Sequence, residues 1–147
     1  EQKNKNAKQA SFDLLSLSKE DKNRVLQKVA DALDYNRNLI KEGNSLDQKN
    51  GLKMGLSKLM MNRLTLNDGR IDNMIKGIET YVLIGEILDQ FQHENDMIIE
   101  KVRVSLGVVS IICESRSNVT IDAFSLNFKA GNSIILKGDS FGYVCLQ

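Results

Sequence analysis

The sequence predicts a mixed α/β protein: N-terminal helices, a β-ribbon, and one β-α-β unit. Two observations carry this. Apolar residues recur at helical spacing through residues 1–85 and alternate or run unbroken after them. The two short apolar runs Leu106–Ile112 and Ser133–Leu136 are separated by about twenty residues, room for the crossover that a parallel pair requires.

Ala7, Ala10, Leu14 and Leu17 suggest a first helix. Ser18, with Asp21 three residues on, reads as the capped start of a second. Its apolar face is Val25, Leu26, Val29, Ala30 and Leu33, and Lys19, Glu20, Asp21, Lys22, Arg24 and Lys28 form the solvated face. A third helix is expected from Arg37 to Gln48, weakened at Asn44-Ser45, whose side chains compete for backbone hydrogen bonds. Gly51 and Gly55 flank a weak segment before Leu56, Leu59 and Met60. Asn67 caps a clearer helix with Ile71, Met74, Ile75, Ile78 and Val82 on one face, ended near Gly85.

The ribbon is read as Ile87–Phe91 and Met97–Val104 around the polar turn His93-Glu94-Asn95-Asp96. Leu106–Ile112 and Ser133–Leu136 are continuous apolar runs and read as strands buried on both faces. Between them Val119, Ile121 and Ala123 alternate, as do Phe124, Leu126 and Phe128, which also suits a strand. Helix is preferred because Phe124 and Phe128, four apart, can seal a sheet face. Gly131-Asn132 supplies its stop. A parallel pair is too small a sheet to be stable alone, so the chain is expected to self-associate.

Composition narrows the functions. Twenty Lys/Arg against nineteen Asp/Glu give a net charge of +1, which argues against bulk binding of nucleic acid. No apolar run approaches a membrane span, and no signal peptide opens the chain. Two cysteines, Cys113 and Cys145, and a single histidine, His93, make neither a disulfide framework nor a metal cluster, so a reducing cytoplasmic setting is expected. Proline is absent where average usage would give roughly seven. No glycine-rich phosphate loop occurs.

Two places carry candidate chemistry. The loop Glu114-Ser115-Arg116-Ser117-Asn118 leaves a strand and enters a helix, the position where open α/β sheets bind ligands and a helix N-terminus meets an anion. Arg116 can pair with phosphate, and the Asn118 amide can donate to a developing oxyanion. Equally, Ser117 or Asn118 can serve only as the helix cap. Lys137, at the end of the second strand, either reaches a nucleotide ribose or phosphate or is a solvated strand end. Cys113 reads as inert packing and His93 as an exposed turn residue.

Longer motifs go further. Ile99-Glu100-Lys101-Val102-Arg103-Val104-Ser105-Leu106-Gly107-Val108-Val109, then Glu114-Ser115-Arg116-Ser117-Asn118-Val119-Thr120, then Lys129-Ala130-Gly131-Asn132-Ser133-Ile134-Ile135-Leu136-Lys137-Gly138 closely resemble the gamma-glutamyl phosphate reductases (glutamate-5-semialdehyde dehydrogenases) of the aldehyde dehydrogenase superfamily. Asn50-Gly51-Leu52, Asn62-Arg63-Leu64-Thr65-Leu66 and Ile84-Gly85-Glu86-Ile87-Leu88 are similar to further segments, in the family's order.

The resemblance implies NADPH-dependent reduction of L-glutamyl 5-phosphate to L-glutamate 5-semialdehyde in proline biosynthesis, through a cysteine thioester. It implies that Asn118 serves the oxyanion. Lys137 would meet the cofactor's adenosine ribose, with Glu114, Ser115 and Ser117 beside its pyrophosphate and Arg116 near substrate phosphate. It divides the chain into a helical region over residues 1–85, an oligomerisation-like ribbon 86–104, the start of a Rossmann-like cofactor domain 105–140, and a divergent tail 141–147. Ser105 and Ser117 stand where the family has proline, Ser110 and Asp139 where it has glycine, and Cys113 where it has tyrosine. The family's nucleophilic cysteine lies well beyond residue 147. The chain is therefore expected to be an N-terminal fragment, inactive alone and at most an interaction or binding module, with Val144-Cys145 a coincidental match.

Overall fold

The structure is a computed structural model that describes residues 2–85, 87–92, 95, 97–113 and 116–137. Five helices come first: α1 (Gln2–Leu15), α2 (Lys19–Tyr35), α3 (Arg37–Lys53), α4 (Lys58–Leu64) and α5 (Asp68–Val82). An antiparallel ribbon, β1 (Ile87–Gln92) with β2 (Ile98–Val102), follows. Last comes β3 (Val108–Ile112), α6 (Ser117–Lys129) and β4 (Ser133–Lys137), with β3 and β4 paired in parallel. The helix reading of residues 117–129 and the parallel crossover are both observed.

The helix starts follow the sequence. Ser18 Oγ accepts the Asp21 N–H at 3.1 Å, and Asn67 Oδ1 accepts that of Arg70 at 2.9 Å. The Asp21 carboxyl lies below its ordinary value, chiefly because Ser18 donates to it. Leu26 and Ala30 of α2 and Ile78 of α5 are buried together, and Ile121, Phe124 and Phe128 of α6 pack on them. The rings of Phe124 and Phe128 stack with centroids 5.5 Å apart. Their faces thus join the helical core to the β-α-β unit rather than only sealing a sheet. Ile71 and Met74 of α5 form a second buried group with Leu66.

Three expectations are corrected. First, α3 does not weaken at Asn44-Ser45 but runs on to Lys53. The buried Asn44 side chain bonds outside its own helix: Nδ2 donates to the Leu64 carbonyl and Oδ1 accepts the Leu66 N–H, each at 2.8 Å. Ser45 merely bonds back to the Lys41 carbonyl. Second, the weak segment after Gly55 is the helix α4, started by Ser57, whose Oγ accepts the Met60 N–H. Gly51 lies inside α3, where a Cβ would stand 2.8 Å from Leu56 Cδ1. Third, neither strand of the pair is buried on both faces: β3 alternates between exposed and half-buried, with Ile112 80% exposed, and in β4 Ser133 is buried while Ile134, Ile135 and Leu136 are half-buried. Among the described residues each strand is paired on one edge, in a two-stranded sheet, with too few neighbours to be covered. The second ribbon strand is likewise shorter than expected, and every residue of β2 is exposed.

The start of β3 is pinned from the far end of α6. Gly131, at φ 77°, lets the Asn132 N–H turn back to the Asn127 carbonyl, the hydrogen-bond closure of a left-handed helix stop. The Asn132 side chain then accepts the N–H groups of Leu106 and Gly107 at 2.6 and 3.1 Å. Helix end and strand start are therefore fixed by one residue, which sets where the opposite, carboxyl end of the pair must fall.

Candidate functional site at the carboxyl ends of β3 and β4

Parallel pairing puts the two strand ends side by side. Ile112 is in register with Lys137, and the Cys113 N–H donates to the Lys137 carbonyl at 2.9 Å. The loop leaving β3 thus starts beside Lys137, whose side chain is exposed. Arg116 is exposed and stands at the N-cap of α6 in extended conformation. Ser117 is the first helical residue, and Asn118, exposed, is the second. Arg116, Ser117 and Asn118 thus follow the carboxyl end of β3, and Lys137 ends the neighbouring β4. Glu114 and Ser115 lie outside the described residues, as do His93 and Cys145.

The capping reading of Ser117 and Asn118 is overturned. The cap position belongs to Arg116, and no side chain there accepts a first-turn N–H. The reason is position: both polar residues fall inside the helix, where a side-chain oxygen cannot serve as the cap. The first turn also carries no acidic residue. The positive end of α6, with the exposed Arg116 at its cap position and Lys137 ending the neighbouring strand, is a setting that suits an anion. Cys113 is buried with its N–H bonded to the neighbouring strand, which agrees with packing rather than attack.

One residue of this edge was not foreseen. The Asn118 amide Nδ2 donates toward Asp122 Oδ2 at 3.5 Å, one helical turn away. Burial between α5 and α6 raises the Asp122 carboxyl above its ordinary value, and the Asn118 contact partly opposes this. Burial, and then the Asp122 charge, raises the Tyr81 hydroxyl of α5. The sequence signal was available: Asn118 and Asp122 are spaced i, i+4, so they share a helix face. Among the described residues, no group of three His, Cys, Asp or Glu side chains is placed to hold a metal ion. No helix among them is long and apolar enough to cross a membrane.

No protein-family model matches the chain. The gamma-glutamyl phosphate reductase of Carboxydothermus hydrogenoformans is 46% identical over 138 residues, 91% of this chain and 33% of the relative. That of Thermodesulfovibrio yellowstonii is 40% identical over 142 residues, 94% of this chain and 34% of the relative. The crystal structure of the Thermotoga maritima gamma-glutamyl phosphate reductase superposes with a TM-score of 0.83 at 36% identity, covering 96% of this chain and 35% of that one. The Saccharomyces cerevisiae enzyme gives 0.84 at 29% identity, covering 96% and 37%. Sequence and fold agree along nearly the whole chain, which spans about a third of the length of these relatives and is similar over that third to the gamma-glutamyl phosphate reductases.

Proposed function

We propose that this chain provides the N-terminal third of an NADPH-dependent, cytoplasmic reductase acting on L-glutamyl 5-phosphate, with L-glutamate 5-semialdehyde as product. The observation that carries the reading is a helix start whose cap position is held by the exposed Arg116, following the end of β3, with the exposed Lys137 ending the neighbouring strand. That edge fits a nucleotide: amide groups and a positive helix end suit a pyrophosphate, and an exposed lysine on the neighbouring strand suits a ribose. Lys137 and the loop of Glu114, Ser115 and Ser117 would hold NADPH there, and the cofactor when bound supplies hydride. Arg116 holds the substrate phosphate. The Asn118 amide donates a hydrogen bond to the oxygen on which charge develops as the acyl carbon is attacked.

The nucleophilic cysteine is supplied by the portion of the family's length that this chain does not span. The 147-residue chain on its own therefore turns over neither NADPH with glutamyl phosphate nor NADP with the semialdehyde. The test is a chimera in which this chain replaces the corresponding third of the Thermotoga maritima enzyme. Semialdehyde-dependent NADP reduction by the chimera, absent from the chain alone, is the expected result. An inactive but folded chimera that fails to bind NADPH would overturn the reading.

The proposed division follows the same logic: residues 1–85 form a helical support, 86–104 an oligomerisation-like ribbon, 105–140 the opening of the cofactor domain and 141–147 a divergent tail. Phe91, Met97, Ile98 and Val102 are each at least half exposed on or beside the ribbon. Together with the open β3 surface they favour self-association. Sedimentation velocity at micromolar concentration should give species larger than a 16.5 kDa monomer. A single monomeric boundary would count against it.

A further inference from the structure

We propose that Asp122 is a positioning residue that holds the Asn118 carboxamide in its donating orientation, in a seat that Gly77 keeps open. This deepens the reading of Asn118 as an oxyanion donor and rests on it. An asparagine can present either its amide nitrogen or its carbonyl oxygen to a neighbour, and only the nitrogen donates. An acceptor one turn along the helix selects between the two. Asp122 Oδ2 faces Asn118 Nδ2 at 3.5 Å, so one N–H is directed to the carboxylate and the second remains for a ligand.

The other carboxylate oxygen is accommodated by α5. A Cβ on Gly77 would stand 3.1 Å from Asp122 Oδ1, and no other described atom beyond its own stretch of α5 lies within 4 Å of it. The packing of α5 on α6 would tolerate a larger residue at position 77 but for this carboxylate. The carboxylate itself is costly where it stands. It is half-buried between two helices, and among the described residues no lysine or arginine forms an ion pair with it. A small apolar side chain would suit a helix–helix contact better. Its use is the charge that it presents to Asn118. From α5 the groups facing Asp122 are Gly77 and Tyr81, and from α6 Asn118.

The test reads the Asn118 side-chain amide directly, by ¹⁵N–¹H spectra of the 147-residue chain between pH 3 and 8, with the signals assigned by their loss in Asn118→Asp. The two amide proton signals should move with pH, at a midpoint above the ordinary aspartate value of about 3.9. That movement should vanish in Asp122→Asn and return in Asp122→Glu. Gly77→Ala, which displaces the carboxylate without removing its charge, should shrink it while leaving the backbone spectrum in place. Asn118 signals that ignore pH, or that titrate equally in Asp122→Asn, would overturn the proposal. The two readings fail separately: a titrating amide in a chimera indifferent to Asn118→Ala sinks the oxyanion role and keeps the positioning contact. A pH-independent amide beside a catalytically essential Asn118 does the reverse.

Discussion

Asn118→Ala in the active chimera is expected to lower turnover by about a hundred- to a thousandfold, the usual consequence of removing one oxyanion donor. Stability should hardly change. Asn118 is exposed, it is not the cap of α6, and its side-chain hydrogen bond among the described residues is the long approach to Asp122. Surface substitutions of that kind usually stay within about 0.5 kcal/mol. A capping residue would behave the opposite way, losing about 1 kcal/mol of stability with turnover nearly kept. Turnover with saturating substrate and a urea titration on the same variant separate the two. Unchanged turnover would remove Asn118 from the site.

The second large effect lies far from that edge. Asn44→Ala should destabilise the helical region by roughly 2–6 kcal/mol, since it leaves a buried carbonyl and a buried N–H unpaired at about 1–3 kcal/mol each. The groups are the Leu64 carbonyl and Leu66 N–H, which end α4 and lead to the cap of α5. Asn44 is 1% exposed, so bulk water cannot replace it in place. The adjacent Ser45→Ala is the control: Ser45 is exposed and bonds only to the preceding turn of its own helix, so its loss should cost less than about 0.5 kcal/mol. Chemical unfolding followed by circular dichroism compares them. Equal midpoints for the two variants would show that the α3–α4–α5 junction does not depend on Asn44.

Asn44 also marks where sequence reasoning stops. Read locally, Asn44-Ser45 is a pair of weak helix formers, and local propensity ends the helix near it. The structure runs the helix through because the partner of Asn44 is about twenty residues away, in a loop that local patterns cannot place beside it. The same holds for α4. Its seven residues are too few for a clear period, and what fixes it is a serine cap and packing over Gly51.

Local chemistry alone determined the well-formed elements. The caps at Ser18 and Asn67, the faces of α2 and α5, the glycine stop after α6 and the parallel reading of the two apolar runs each depend on neighbours within a turn or on strand pattern. The ordered motifs carried the family resemblance. Tertiary structure decided the rest. An apolar run reports what a strand can bury, not how many neighbours it has, so only the two-stranded sheet revealed that β3 is largely open. Whether Asn118 caps the helix or stands inside it turned on two residues of helix phase, which the start at Ser117 set. The meeting of Asp122 with Gly77 needed α5 and α6 to pack, because it joins residues more than forty positions apart.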